Sequence, residues 1–312
     1  MISSIFGKTK PINYIIVLTF SFLFYWLVHF ILYQRIYGPE QIIGQVLVLA
    51  VLLFSFFVVN FIVKRNKMTG TNSYTILFFA MLMVIFPEVL TDNNAVLANF
   101  LLLLAIRRLI SMRSLKNLKL KIFDASLWIM FASIFYDWAL LYMLVVFIAI
   151  YIYEPKSFNN WLVPFAAGFV MFMISYSFLI LTNNQEFFID HYQFSIALNA
   201  DYYLNWGSSS KLIVYTVLFF ILTIFAFLKL GKSGVGKIVT TRLVVFSFII
   251  GLALNVLIST NDLHPILLTF FPAAVLMTNY VESIKRENLR EIILMFSIFI
   301  PFIVFLSIMI VK

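Results

Sequence analysis

The stretch ASLWIMFASIFYDWALLYMLVVFIAIYIY, residues 125–153, decides how the whole chain is laid out. Its 29 residues carry a single charged side chain, Asp137, near the middle. A membrane-crossing helix needs about 20 apolar residues, so the stretch is either one over-long helix or two shorter ones reversing at Tyr136, Asp137 and Trp138. Each added crossing inverts the side on which every later loop lies, so this choice sets the orientation of everything downstream. Nine further apolar runs surround it, at 13–33, 42–63, 74–90, 95–110, 161–181, 212–230, 243–258, 266–281 and 292–311.

Charge decides between the two readings, because loops on the cytoplasmic side collect Lys and Arg. With the stretch folded as a hairpin, 19 of the 22 Lys and Arg fall on one side and only Arg35, Lys211 and Lys312 on the other. A single helix sends Lys156 and the seven basic residues from Lys229 to Arg290 across, for a split of 13 to 9. The hairpin is therefore expected. It gives an all-α polytopic membrane protein of about 11 crossings with an inside N-terminus and an outside C-terminus. The arms of the hairpin read as about 12 to 16 residues, which at about 1.5 Å per residue places the turn at Asp137 below the outer surface.

Composition supports the same class. The chain is 63% hydrophobic and 11% charged, with a mean hydropathy of +1.03. That excludes a soluble enzyme, a nucleic-acid module and a disulfide-stapled secreted domain, and the absence of cysteine excludes thiol chemistry and Cys-bound zinc. The first run follows Lys8 and Lys10 without a small-residue cleavage site, so it reads as a retained span. Residues 1–312 are expected to form one integral membrane domain, with 183–210 as an outer interfacial loop. The pattern fits a bacterial cytoplasmic (inner) membrane. The stretch 111–123, SMRSLKNLKLKIF, spaces leucines among Arg113, Lys116, Lys119 and Lys121 as a basic helix lying on an anionic leaflet would. The loop GKSGVGK, 231–237, matches the spacing of a phosphate-binding loop, but Ile238 stands where a magnesium-binding hydroxyl belongs and the loop joins two membrane helices.

The acids and histidines form the one pattern that is not generic. Glu40, Glu88, Asp92, Asp137, Glu186, Asp190, Asp201 and Asp262 all lie on the outer side in this topology, with His29, His191 and His264. Carboxylates and imidazoles converging on a partly desolvated pocket suit a general base or a divalent cation. Glu40 and Asp137 are the candidate bases, Asp137 because an ionisable group below the membrane surface is costly to keep. Asp92, Asp190, His191, Asp262 and His264 are candidate substrate ligands, joined by Tyr192 and Trp206 as aromatic faces. The alternative for these rings is an interfacial aromatic belt, and for the acids simple turn chemistry. No metal set is fixed by spacing, and no other cofactor is called for.

The basic stretch, the segment DASLWIMFASIFYDWALLYMLVVFIAIYIYEPK and the fresh span after it resemble the central region of GT-C-type membrane glycosyltransferases. That resemblance implies an all-helical enzyme with an essential acid in its first outer loop, here Glu40, acting on a lipid-linked glycan at the outer face. The whole chain is also similar to uncharacterised families of bacterial polytopic inner-membrane proteins, a resemblance that implies no activity. Three functions stay open: a GT-C-like transferase, a non-catalytic subunit of a cell-envelope complex with a protein partner, and a transporter or lipid flippase. Membrane lipids are expected partners in each, and nucleic acid in none. A fluorescent reporter that lights only in the cytoplasm checks the hairpin: fused after Lys156 it should be bright and fused after Trp138 dark, whereas a single helix makes both fusions report outside.

Overall fold

A computed structural model describes residues 2–194, 196, 206–230, 235–258 and 263–311, leaving out the side chains of 206–208, 230, 235 and 311. These residues form 13 helices and no strand: α1 Ile2–Phe6, α2 Pro11–Leu27, α3 Pro39–Arg65, α4 Tyr74–Ile85, α5 Asn93–Ser111, α6 Leu118–Phe135, α7 Met143–Tyr153, α8 Phe158–Leu181, α9 Phe187–His191, α10 Trp206–Leu230, α11 Val235–Ile258, α12 Phe270–Ser283 and α13 Glu287–Val311. Proline opens α2 and α3 and the 3-10 turns Pro87–Leu90 and Pro265–Thr269. There its fixed φ suits the first position and its missing N–H costs nothing. Eight helical segments are long and apolar enough to cross a membrane. The chain is thus a multi-pass membrane protein.

The stretch 125–153 is two helices. α6 ends at Phe135, Tyr136 is extended at φ −144°, and Asp137–Tyr142 forms a 3-10 turn that leads into α7. Both arms are longer than the sequence suggests. The basic stretch 111–123 is not a separate surface helix: Leu115 and Asn117 take left-handed backbone, at φ 53° and 52°, and Leu118 already begins α6. Eighteen residues at about 1.5 Å each reach about 27 Å, close to the roughly 30 Å hydrocarbon thickness. The added residues are the charged first two turns, with Lys119, Lys121 and Asp124, so the uncharged part of α6 still runs only from Ala125 to Phe135. Another boundary moves in the same direction. Trp206–Ser210, expected as loop, is helical and opens α10.

α4 is the centre of the bundle. Eleven of its twelve residues are buried, as an all-round apolar helix requires, and α2, α3, α12 and α13 pack around it. Phe79 meets Phe56 and Phe270 edge to face, and Thr75 shares a 3.0 Å hydrogen bond with Thr278 of α12. On the outside, α8, α10 and α13 expose rows of side chains such as Phe165, Phe169, Ile213, Phe220, Phe299 and Ile303, a surface suited to lipid. The turns gather at two ends. One is basic: Lys64 bonds Tyr14, Arg108 pairs with Asp124 at 2.9 Å, Lys121 bonds the Ser111 carbonyl, and Arg113 fills the space left by Gly236. The second glycine of the false phosphate loop therefore makes room for an arginine. Residues 231–234 of that loop lie outside the described residues.

Gly251 lies in a close contact between α11 and buried side chains. A Cβ there would stand 2.7 Å from Thr269 Cγ2 and 3.0 Å from the Tyr142 hydroxyl, and both neighbours are fully buried. Gly251→Ala should therefore overpack α11 against the Pro265–Thr269 turn and cost about 1–3 kcal/mol, read as a fall in melting temperature in detergent. Gly168→Ala meets only the mobile end of Met130 at 3.1 Å and should cost less than a third as much.

Candidate functional site

The site is built at the other, acidic end of the bundle, where three turns meet on one carboxylate. Asp92 stands just ahead of Asn93, Asn94 and the apolar run that begins at Ala95, as a helix N-cap does. Its Oδ1 accepts the Ala95 N–H at 2.9 Å, capping α5. Its Oδ2 accepts the backbone N–H of His264 at 2.8 Å and a long, 3.5 Å bond from the Tyr136 hydroxyl. Asp92 is only 6% exposed, and these donors supply what water would otherwise give a buried carboxylate. The turns before α5, after α6 and before the Pro265–Thr269 turn are thereby locked together. Glu88 and Lys211 add a half-buried 3.0 Å ion pair between the Pro87–Leu90 turn and α10, which accounts for one of the three basic residues on this side.

Next to Tyr136, Asp137 is half-buried and caps its own turn through the Trp138 N–H at 2.7 Å. Beyond it lies an apolar groove of about 220 Å³ between α6, α8 and α9, lined by Met130, Ile134, Leu140, Met171 and Phe172. Gly168 keeps it open. Ser133 is the groove's polar anchor. Its hydroxyl donates to the Met130 carbonyl at 2.7 Å, so its oxygen is free to accept from Tyr192 at 2.9 Å, while its carbonyl accepts the His191 Nε2–H at 2.7 Å. His191 also stacks on Phe187, with ring centres 4.8 Å apart. α9 is thus a five-residue aromatic roof bolted to one serine. Burial, with a smaller push from the Asp137 charge, raises the Tyr192 phenol above its ordinary pKa, so it stays a hydrogen-bond donor.

A second, polar groove of about 440 Å³ opens beside α3 and the start of α5, lined by Arg35, Tyr37, Gln41, Gln45 and Asn93. The Asn93 Oδ1 is buried without a partner. Underneath, Tyr25 donates to Gln45 Oε1 at 2.7 Å, and fully buried His29 bonds Tyr37 through Nδ1 and donates from Nε2 to the Leu90 carbonyl at 2.9 Å. His29 lies in a π-helical turn, Val28–Leu32, a geometry often found at functional sites.

The candidates named from sequence therefore divide. Tyr192 lines the apolar groove, His191 bonds the Ser133 carbonyl beside it and Asp137 is near enough for its charge to act on Tyr192, and Asp92 and the His264 backbone form the joint next to Tyr136. Glu40, in the first turn of α3, and Asp190, in α9, are exposed and make no side-chain bond among the described residues. Asp201, Asp262 and the Trp206 side chain lie outside the described residues. Among the described residues, no three His, Asp or Glu side chains gather as a metal site. Ser133, Gly168, Asn93, Gln45 and Tyr136 were not foreseen. Only Asn93 carried a signal, as the neighbour of a capping Asp, since a lone Ser or Gly within an apolar helix has no distinguishing pattern.

Asp92→Asn should place an amide NH2 or a single oxygen against two backbone N–H groups, leaving one buried donor unmet. A loss of about 1–3 kcal/mol in thermal stability is expected, with no measurable change for exposed Asp190→Asn. No protein-family model, curated protein or solved structure matches this chain.

Proposed function

We propose that this protein binds a lipid-linked glycan at the acidic end of the bundle and transfers its sugar there. The observation that carries this reading is the pairing of two unlike grooves on one end, flanking the Asp92 joint. The apolar groove under α9 suits an isoprenoid or acyl chain entering sideways from the bilayer. The groove of Arg35, Tyr37, Gln41, Gln45 and Asn93 offers the amide, hydroxyl and guanidinium groups that recognise sugar hydroxyls. Positive-inside asymmetry supports an orientation with this end outside a bacterial inner membrane and the N-terminus in the cytoplasm. It also makes α4 with the turn after it, α6, and the Asp137–Tyr153 arm the three crossings that bring the eight long helices to eleven.

In this reading Asp137 is the general base. It takes the proton from an acceptor hydroxyl, whose oxygen bonds the anomeric carbon as the bond from that carbon to the lipid phosphate oxygen breaks, and the lipid phosphate leaves. Glu40, beside the polar groove, is the alternative base. The resemblance to GT-C-type glycosyltransferases supports sugar transfer as the reaction but favours Glu40 as the acid, and no step is routed through a metal. A second reading, a non-catalytic subunit of an envelope complex, is favoured by Asp92 and Asp137 both acting as caps.

Two variants separate the readings. Asp137→Asn keeps an oxygen for the Trp138 N–H, so the protein should insert and fold normally and retain a co-purifying polyprenyl-phosphate lipid, while losing at least 100-fold in transfer. Gly168→Phe fills the apolar groove and should lose the lipid itself, as read by mass spectrometry of gently extracted protein. Full complementation of a deletion by both variants, with a stoichiometric polypeptide in place of the lipid, would establish the subunit reading instead.

A further inference from the structure

The basic end holds a cavity that the proposed reaction does not use. It measures about 670 Å³ and lies between α1, the loop before α4 and the facing ends of α12 and α13. Three cations line it: Lys8, Lys10 and Arg290. Neither lysine has an ion-pair partner among the described residues. Arg290 reaches only Glu287, at 3.9 Å, a carboxylate that is itself 88% exposed, and the Arg290 Nε is buried with no hydrogen-bond partner.

The two acids nearby build the walls and offset only part of this charge. Glu282 Oε1 accepts the Gly70 N–H at 2.7 Å and the Asn72 amide at 2.6 Å, holding the loop before α4 against α12. Glu291 accepts the Ser3 N–H at 3.0 and 3.2 Å, pinning α1 to α13. Both carboxylates keep their negative charge on these neutral donors, and three cations against two acids leave the cavity net positive. A tetrahedral oxyanion matches this lining: a forked guanidinium, two ammonium groups and the Thr71 hydroxyl can each meet a separate oxygen. The cavity opens where α2, α4 and α13 begin and α12 ends, the depth at which basic pockets between membrane helices hold lipid phosphates.

We propose that this cavity binds a phosphate group, carried either by an anionic phospholipid of the adjoining leaflet or by a soluble phosphate compound. The assignment is independent of the reading of the acidic end. It is tested on the full chain, delipidated in detergent, by native mass spectrometry with dioctanoyl phosphatidylglycerol and, separately, with inorganic phosphate. One adduct per chain is expected, weakening as salt is raised. The double variant Lys8→Gln/Lys10→Gln and the variant Arg290→Gln should each weaken it at least tenfold. Thr71→Glu, an exposed position where folding is not at risk, should abolish it by adding a negative charge. Lys116→Gln/Lys119→Gln, on the same end outside the cavity, should leave it unchanged. A phosphatidylglycerol adduct that inorganic phosphate does not displace identifies the lipid as the source, and one that it displaces identifies a soluble compound. Absence of both adducts, or equal loss in the Lys116→Gln/Lys119→Gln control, overturns the proposal.

Discussion

A buried carboxylate in a membrane bundle must be fully provided with donors or it will not stay buried, and Asp92 meets that demand with groups from three separate turns. Its bonds to the Ala95 and His264 amides and to the Tyr136 hydroxyl join α5, the α6–α7 reversal and the entry to α12. The two grooves of the acidic end lie on either side of this joint: Asn93 follows Asp92 into the polar one, and Asp137 follows Tyr136, near Tyr192 of the apolar one. Positioning of the site thus depends on one residue that does no chemistry.

The acids on this end serve different masters. Asp92, Asp137 and Glu88 are tied to backbone amides or to Lys211, and Glu40 and Asp190 stand in the open. An excess of outer acids read from the sequence therefore conflates caps, ion pairs and free carboxylates, which only their distances separate. Asp137 alone combines a local cap with a place beside a groove, and for that reason the proposed chemistry rests on it.

The hairpin was legible in the sequence because two independent signals agreed: a run too long for one crossing and a charge count that only a reversal keeps on one side. The arm lengths were not, because the break at Leu115 and Asn117 depends on left-handed backbone at a leucine and an asparagine, which no periodicity announces. The Asp92 cap could be read from an Asp placed before an apolar run. Its bond to the His264 amide, 172 positions away, could not, and neither could the role of Ser133, whose importance comes from His191 at the end of α9 and Tyr192 just after it, which converge on it. The glycines behaved likewise: Gly236, first read as part of a phosphate motif, proves to be a space for Arg113.

The Arg108–Asp124 pair reaches beyond the finished fold. With Lys119, Lys121 and Asp124 in its first two turns, α6 is a poor entrant to a bilayer, since a charged residue raises the cost of insertion by up to about 3 kcal/mol. The groups that offset those charges, Arg108, the Ser111 carbonyl and Ser114, sit on α5 and the turn after it, the segment that leaves the ribosome just before. The chain thus delivers the escort ahead of the passenger: the partners of Lys121 and Asp124 are already made when the charged first turns of α6 follow them.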